Sequence, residues 1–401
     1  MERSALLAQR VLAIDVFRGI TIFTMVFVNE LAGIGDIPAW MKHLPADADG
    51  MTFVDLVFPA FLFIVGMSIP FAVQSRVLKG HSTLAIFHHI AVRSFGLIVL
   101  GVFMVNSSAN YDLQSMNISL PVWTLLMYAA VLMIWSHQPP SRSQAVLWSL
   151  RATGIALLIG LWLSYRGAGN TGITAQWWGI LGLIGWAYLG AGTVYLLAIK
   201  ITHPVRQLAL LIIAALLFIG LFYLLSGADH HRDHMIRWLG ENNRNHTHIA
   251  IILGGTVLSL LFYSTAFAAY RLRNFVMISI ALALLALTSW QFSPISKIWA
   301  TPSWALFSVF FCCLIFAAVY YVVDVKKISG WCRVFEPAAT NPLLIYILPS
   351  IISAFLMLIG FTLRPEFFNT GWAGILWSLL FTAVVMYLGA GLNRLGLKLK
   401  L

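Results

Sequence analysis

Long apolar runs with no internal charge fix what this chain can fold into. Leu208–Leu225, Ile249–Ala268, Phe275–Trp290 and Trp304–Val323 are four of them. Each is of the order of the roughly 20 residues that a helix needs to cross a bilayer. Further runs of this kind leave only 10% of the 401 residues charged, against 60% hydrophobic. A soluble domain averages about 25% charged residues, so this chain lacks the polar surface to stay in water. The runs are continuous and do not alternate apolar with polar residues. That periodicity predicts an all-α, polytopic transmembrane helical bundle and argues against a β-barrel. The predicted spans are 11–33, 53–75, 86–105, 120–137, 146–165, 177–199, 206–226, 248–269, 275–291, 303–323, 339–360 and 372–390, which makes eleven or twelve crossings. The polar start Met1–Arg10, the long apolar stretch after it and the lack of a small-residue cleavage site predict a retained first span, not a cleaved signal peptide.

The net charge of +11 follows the membrane and carries no signal for nucleic acid. With the amino terminus in the cytoplasm, eighteen of the 25 Lys and Arg residues fall in inner segments or at inner helix ends, among them Arg3, Arg10, Arg76, Arg142, Arg271, Lys326, Lys327 and Lys400. The outer loops hold seven: Lys42, Arg166, Arg232, Arg237, Arg244, Lys297 and Arg364. The positive-inside rule then predicts that both termini are cytoplasmic. No soluble domain interrupts the helices, so residues 1–401 read as a single transmembrane domain whose longest polar stretch is the outer loop 226–248. His230, His231, His234, His246 and His248 in that loop lack the spacing of a tetrahedral metal set, and a solvated loop is the expectation. The five glycines from Gly179 to Gly192 give the sixth span a small-residue face suited to close helix packing. Cys312, Cys313 and Cys332 suggest neither a structural disulfide nor an activated nucleophile.

The chemistry concentrates in the first two spans and the loop joining them. Asp15 and Arg18 share one helix face, as either an interfacial ion pair or part of a ligand site. Asn29 falls near the outer end of the same helix. Asp55 opens the second helix, where a carboxylate suits the helix dipole and can act as a cap. The loop between them, W-M-K-H-L-P-A-D-A-D-G-M-T, carries His43, Asp47 and Asp49. Polar groups at such depths are costly, so they are paired or face a cavity.

The ordered blocks R-V-L-A-I-D-V-F-R-G-I-T-I-F-T-M-V-F-V-N, K-H and G-M-T-F-V-D-L-V-F-P-A-F-L-F-I-V-G-M-S-I, together spanning 10–69, resemble heparan-α-glucosaminide N-acetyltransferase and its bacterial relatives. The likeness continues at Arg93–Asn106 and returns at Lys297–Trp304 (K-I-W-A-T-P-S-W), Val322–Lys326 (V-V-D-V-K) and Thr340–Tyr346, while 107–245 matches poorly.

The resemblance implies a bacterial inner-membrane enzyme that takes acetyl-CoA from the cytoplasm and acetylates the amine of a glucosamine-type sugar on the periplasmic side, without a metal. It places the catalytic histidine on His43 and the nearby asparagine on Asn29. It also marks Asn341 as a substrate contact. Beside the resemblance, Asp55, Asp47 and Asp49 are candidate substrate contacts, with Asp47 and Asp49 either meeting the cationic amine or capping the next helix, and Arg18, Asp15 and Arg93 are candidate contacts for the coenzyme. Lys326 and Lys327 could also meet CoA phosphates, although topology alone accounts for them. A homodimer is a further implication. The loop after His43 is longer and more acidic than in the family and lacks its Trp, which points to a small amino sugar or a short glycan in place of heparan sulfate. Two other readings stay open: an amino-sugar permease and an O-acyltransferase of an envelope glycan.

Overall fold

The computed structural model describes residues 11–108, 111–137, 143–230 and 233–399. Arg3, Arg10, Arg142, His231, Arg232 and Lys400 lie outside these residues. Among the described residues every regular element is helical, apart from isolated β-bridges. The helices are α1 (Leu12–Leu31), α2 (Phe53–Leu78), α3 (Thr83–Ser108), α4 (Leu120–Trp135), α5 (Gln144–Ser164), α6 (Gly179–Ala198), α7 (Pro204–Leu224), α8 (His234–Glu241), α9 (Arg244–Tyr263), α10 (Arg271–Trp290), α11 (Pro302–Tyr320), α12 (Glu336–Thr340), α13 (Pro342–Leu358) and α14 (Gly371–Arg394).

Each of the twelve predicted spans carries a helix, but the twelve are not alike. Ten described helices are long and apolar enough to cross a bilayer. The segment at 120–137 forms a helix of 16 residues, a rise of about 24 Å. The segment at 339–360 belongs to a helical pair bent by 75° between α12 and α13. The break falls where Pro342 follows Asn341. Proline disfavours the α conformation in the residue before it, and Asn341 sits at φ −141°, ψ 59°.

The expectation of a solvated loop over 226–248 is corrected. Asp233 caps α8, accepting from the N–H groups of Met235 and Ile236 at 2.9 and 3.0 Å. Helix α9 begins at Arg244, so His246 and His248 belong to it. His248 is buried, in edge contact with Phe58 and Trp304.

The chain packs as two compact units. The first comprises residues 1–21, 38–94 and 184–331. Its centre is the pair α2 and α9, whose partners advance together along both helices: Phe58 meets His248, Thr256 Oγ1 donates to the Gly66 carbonyl at 3.0 Å, Ser259 Oγ donates to that of Met67 at 2.9 Å, and Phe71 meets Tyr263. The two helices therefore run parallel. Helix α11 joins them in the same direction, with Trp304 at the start of α2 and Phe316 against Phe262 and Tyr263. Two glycines permit the close approach: a Cβ on Gly66 would overlap the Ile252 carbonyl, and one on Gly255 that of Phe63.

The second unit comprises 22–37, 95–183 and 332–401. Trp123 lies fully buried between Phe103 and Tyr165. Gly101 meets the Gly182 backbone in it, as the small-residue face of α6 leads one to expect. Valine at position 255 would meet backbone that cannot retreat, and overpacking of this kind costs about 1–3 kcal/mol or more. Gly255→Val is therefore expected to lower the thermal midpoint of the detergent-purified protein, whereas Gly160→Val, in open space on α5, leaves it close to wild type.

Candidate functional site

In the first unit, His43 sits on the segment between α1 and α2, just after a single turn of 3-10 helix at Ala39–Met41. Its Nδ1 lies 2.7 Å from Asp55 Oδ1. The histidine side chain is 39% exposed while that of Asp55 is 2% exposed, so the ring bridges a buried carboxylate and the surface. Both of the Asp55 oxygens are used. Oδ2 accepts from the Thr52 N–H at 3.1 Å and the Thr52 hydroxyl lies 3.2 Å from it, so this oxygen secures the start of α2. The Asp55 backbone carbonyl accepts from Trp304 Nε1 at 3.3 Å. Helix cap and histidine partner are thus the same residue.

Lys297 completes the group. Its Nζ is 3.0 Å from His43 Nε2 and 3.2 Å from Nδ1. A carboxylate can only accept, so a histidine bonded to it through Nδ1 carries its proton there. Nζ is nearly equidistant from the two ring nitrogens, so the lysine stands over the ring and the Nε2 lone pair stays open in the ring plane. Lys297 lies in the loop between α10 and α11, and burial pushes its ammonium down to about 8 against the opposing pull of Asp55. Carboxylate, imidazole and cation form one cluster, in which the carboxylate fixes the tautomer, an arrangement that suits a general base.

Asp49 fastens the same two loops together. Its oxygens accept from Trp290 Nε1 at 2.9 Å and from the Ile295 N–H at 2.7 Å. The Gly50 N–H returns a bond to the Ile295 carbonyl at 2.9 Å. These bonds hold the Lys297 loop against the His43 loop.

The remaining residues singled out in the sequence are dispersed. Asp47 is exposed on the loop. Arg18 donates to Asp15 at 3.0 Å and to Ser68 Oγ at 2.8 Å, so these two form an ion pair tied to α2. Arg93 lies 5.2 Å over the Tyr188 ring. Asn29 and Asn341 belong to the second unit. Asn29 is exposed near the end of α1. Asn341 is fully buried and its amide is committed: Nδ2 donates to Asn393 Oδ1 at 2.8 Å and to the Leu397 carbonyl at 3.0 Å, and Oδ1 accepts from the Leu399 N–H at 3.2 Å. It pins the segment Leu397–Leu399. Among the described residues no three His, Cys, Asp or Glu side chains converge as metal ligands would.

Residues 10–220, more than half of the chain, match a family described as a domain of unknown function (DUF5009). The chain belongs to this family. It is also 40% identical over 116 residues to heparan-alpha-glucosaminide N-acetyltransferase of Homo sapiens, a stretch covering 29% of this chain and 16% of that protein. The Mus musculus protein of the same name is 40% identical over 111 residues, covering 27% of this chain and 16% of its own length. The matched stretch thus spans about one sixth of these relatives. The resemblance read from the sequence motifs is borne out at this level.

In this DUF5009 chain His43 and Asp55 lie inside the family match, and Lys297 lies outside it. Lys297 was missed as a site residue in the sequence because 254 positions separate it from His43. Its place at the head of the K-I-W-A-T-P-S-W block was the available signal. An amide at position 55 offers one acceptor where the carboxylate offers two, so either Thr52 or His43 then faces an N–H group. Asp55→Asn is expected to cost roughly 1–3 kcal/mol, read as a lowered thermal midpoint, and to shift the His43 15N resonances away from the Nδ1-protonated pattern. An unchanged histidine spectrum would refute the assigned tautomer.

Proposed function

We propose that this chain is a membrane acetyltransferase that moves an acetyl group from acetyl-CoA to the amine of a glucosamine-type sugar or short glycan, with His43 as general base. The observation that carries the reading is the Asp55–His43–Lys297 cluster, found in a chain with partial identity to named glucosaminide N-acetyltransferases. A sugar amine is a cation near neutral pH and attacks a thioester only after losing a proton. His43 Nε2 takes that proton. Asp55, on the far side of the ring, stabilises the imidazolium that forms. The amine nitrogen bonds to the thioester carbon, the C–S bond breaks, and the proton held on His43 leaves with the CoA sulfur as a thiol; the second proton that nitrogen sheds as the amide forms returns to His43 and passes to solvent. Lys297, charged below about pH 8, stands over the ring 3.0 Å from Nε2 and offers its positive charge to the carbonyl oxygen as negative charge develops there. Asp47 remains an exposed carboxylate able to meet a cationic amine.

The excess of basic residues in one set of connections supports a bacterial inner-membrane protein with His43 on the periplasmic side and both termini in the cytoplasm. A carboxyl-terminal fluorescent-protein fusion is then expected to fluoresce, and a carboxyl-terminal alkaline phosphatase fusion to be inactive. The reverse pattern overturns the orientation.

The activity is tested by incubating purified protein with acetyl-CoA and glucosamine and following free thiol. His43→Ala is expected to lose about 10²–10⁴-fold in rate; equal thiol release from the two proteins would remove His43 from the mechanism. The pH dependence has a definite sign. Lys297 loses its charge as pH rises through about 8, so kcat/KM falls above that point. Lys297→Arg keeps its charge and carries the fall to higher pH, and Lys297→Met shows no such limb.

A further inference from the structure

The first unit contains a polar cavity at the opposite end of the three parallel helices from His43. It measures about 380 Å³, and its polar lining is Tyr263, Arg271, Tyr320, Asp324, Lys327 and Ser329. From Trp304, which holds the Asp55 carbonyl, to Tyr320 helix α11 rises about 24 Å. The cavity is therefore separate from the His43 site.

Four features mark it as a built site. Helix α11 ends in a π-helical turn, Tyr321–Val325, and such turns gather at functional sites. The turn brings Asp324 to within 3.3 Å of the Tyr263 hydroxyl, which donates to its Oδ2. Two residues beyond the turn, Lys327 holds a left-handed backbone, φ 60°, a conformation that costs a non-glycine residue energy. Third, Arg271 donates through Nη1 to the Tyr320 hydroxyl at 2.7 Å, while its Nε–H is buried with no hydrogen-bond partner. A buried guanidinium N–H left unpaired is destabilising. Finally, among the described residues of the lining two cations face a single carboxylate, an excess of one positive charge. By contrast, Arg18 is engaged by Asp15 and Ser68, and Arg93 stacks on Tyr188.

We propose that this cavity binds a phosphate group. Arg271 donates to it through the unpaired Nε–H, and Lys327 supplies a second charge from the exposed mouth. Tyr320, whose oxygen accepts from Arg271, keeps its own hydroxyl proton to donate, and Ser329 adds another donor. Asp324, bonded to Tyr263 and close to Lys327, holds the lysine toward the cavity and restricts the site to one anionic group. The phosphate has two sources at such a position: coenzyme A, or the headgroup of an anionic lipid. The coenzyme source rests on the activity proposed above, whereas the phosphate site does not.

The test uses the full chain in phosphatidylcholine nanodiscs, titrated calorimetrically with coenzyme A and with inorganic pyrophosphate. Parallel thermal melts compare these discs with discs that contain phosphatidylglycerol. Arg271→Gln and Lys327→Gln are each expected to weaken binding about tenfold or more, the scale of a charge-assisted contact, while Lys79→Gln at the exposed end of α2 changes it by less than about twofold. Arg271→Lys, which keeps the charge, serves if the glutamine variant does not fold. Coenzyme A binding that depends on Arg271 and Lys327 supports the site with the donor as its ligand. If coenzyme A fails to bind, but phosphatidylglycerol raises the midpoint of the wild type and not of Arg271→Gln, the site stands with lipid as the source. If neither probe depends on Arg271 or Lys327, the proposal is overturned. Acetyl transfer that continues with an unchanged KM for acetyl-CoA in both variants would then leave the activity standing without this site.

Discussion

The first unit depends on how closely α2 and α9 approach. Gly66 and Gly255 let each helix lay its backbone against the carbonyls of the other, and Thr256 and Ser259 bond across the gap to the carbonyls of Gly66 and Met67. In lipid no hydrophobic force drives helices together, so contact depends on small residues and on such polar links. Because the contact fixes the register of α2, it also fixes the height of Asp55. With α11 alongside, Trp304 reaches the Asp55 carbonyl and closes the floor beneath His43. Stretched between the loops that carry His43 and Lys297 and the π-helical end of α11, these three helices serve as one rigid frame.

On that frame the site is assembled from two loops far apart in sequence. Asp49 provides the fastening, because its carboxylate is taken up by Trp290 and by the backbone of Ile295. This role differs from the contact with a cationic amine that the sequence suggests for it, and it explains why an acidic residue occurs beside Gly50 in so short a connection. The same carboxylate chemistry is used at Asp55, with one oxygen for the helix end and the other for the imidazole. Both acidic residues thus shape the site from beneath, and Asp47 is left exposed.

The membrane class, the helical content and the location of every apolar segment were legible from hydropathy, because backbone groups in lipid have few ways to satisfy their hydrogen bonds. Which segments were short or bent was not legible. Hydropathy is blind to the clash that Pro342 imposes on Asn341, and apolarity alone does not show that α4 stops at Trp135. The stretch 226–248 looked like a solvated loop because charged and histidine residues crowd it. A short capped helix and the start of α9 can carry such residues, and His248 then turns inward against Phe58 and Trp304. Of the site, the pair His43 and Asp55 could be singled out because both fall within one short stretch. Lys297 could not, since only the packing of α11 beside α2 brings the K-I-W-A-T-P-S-W block to the histidine. The resemblance marks Asn341 as a substrate contact, whereas its amide is taken up by Asn393, Leu397 and Leu399.

Lys297 gives the buried Asp55 carboxylate a positive neighbour that stands over the ring of His43. A carboxylate withdrawn from water needs such a neighbour. In the proposed reaction a cationic group entering beside His43 can exchange places with the lysine like for like, whereas a neutral molecule has no charge with which to compete for the place near Asp55. The lysine would then be a placeholder that ranks visitors by their charge.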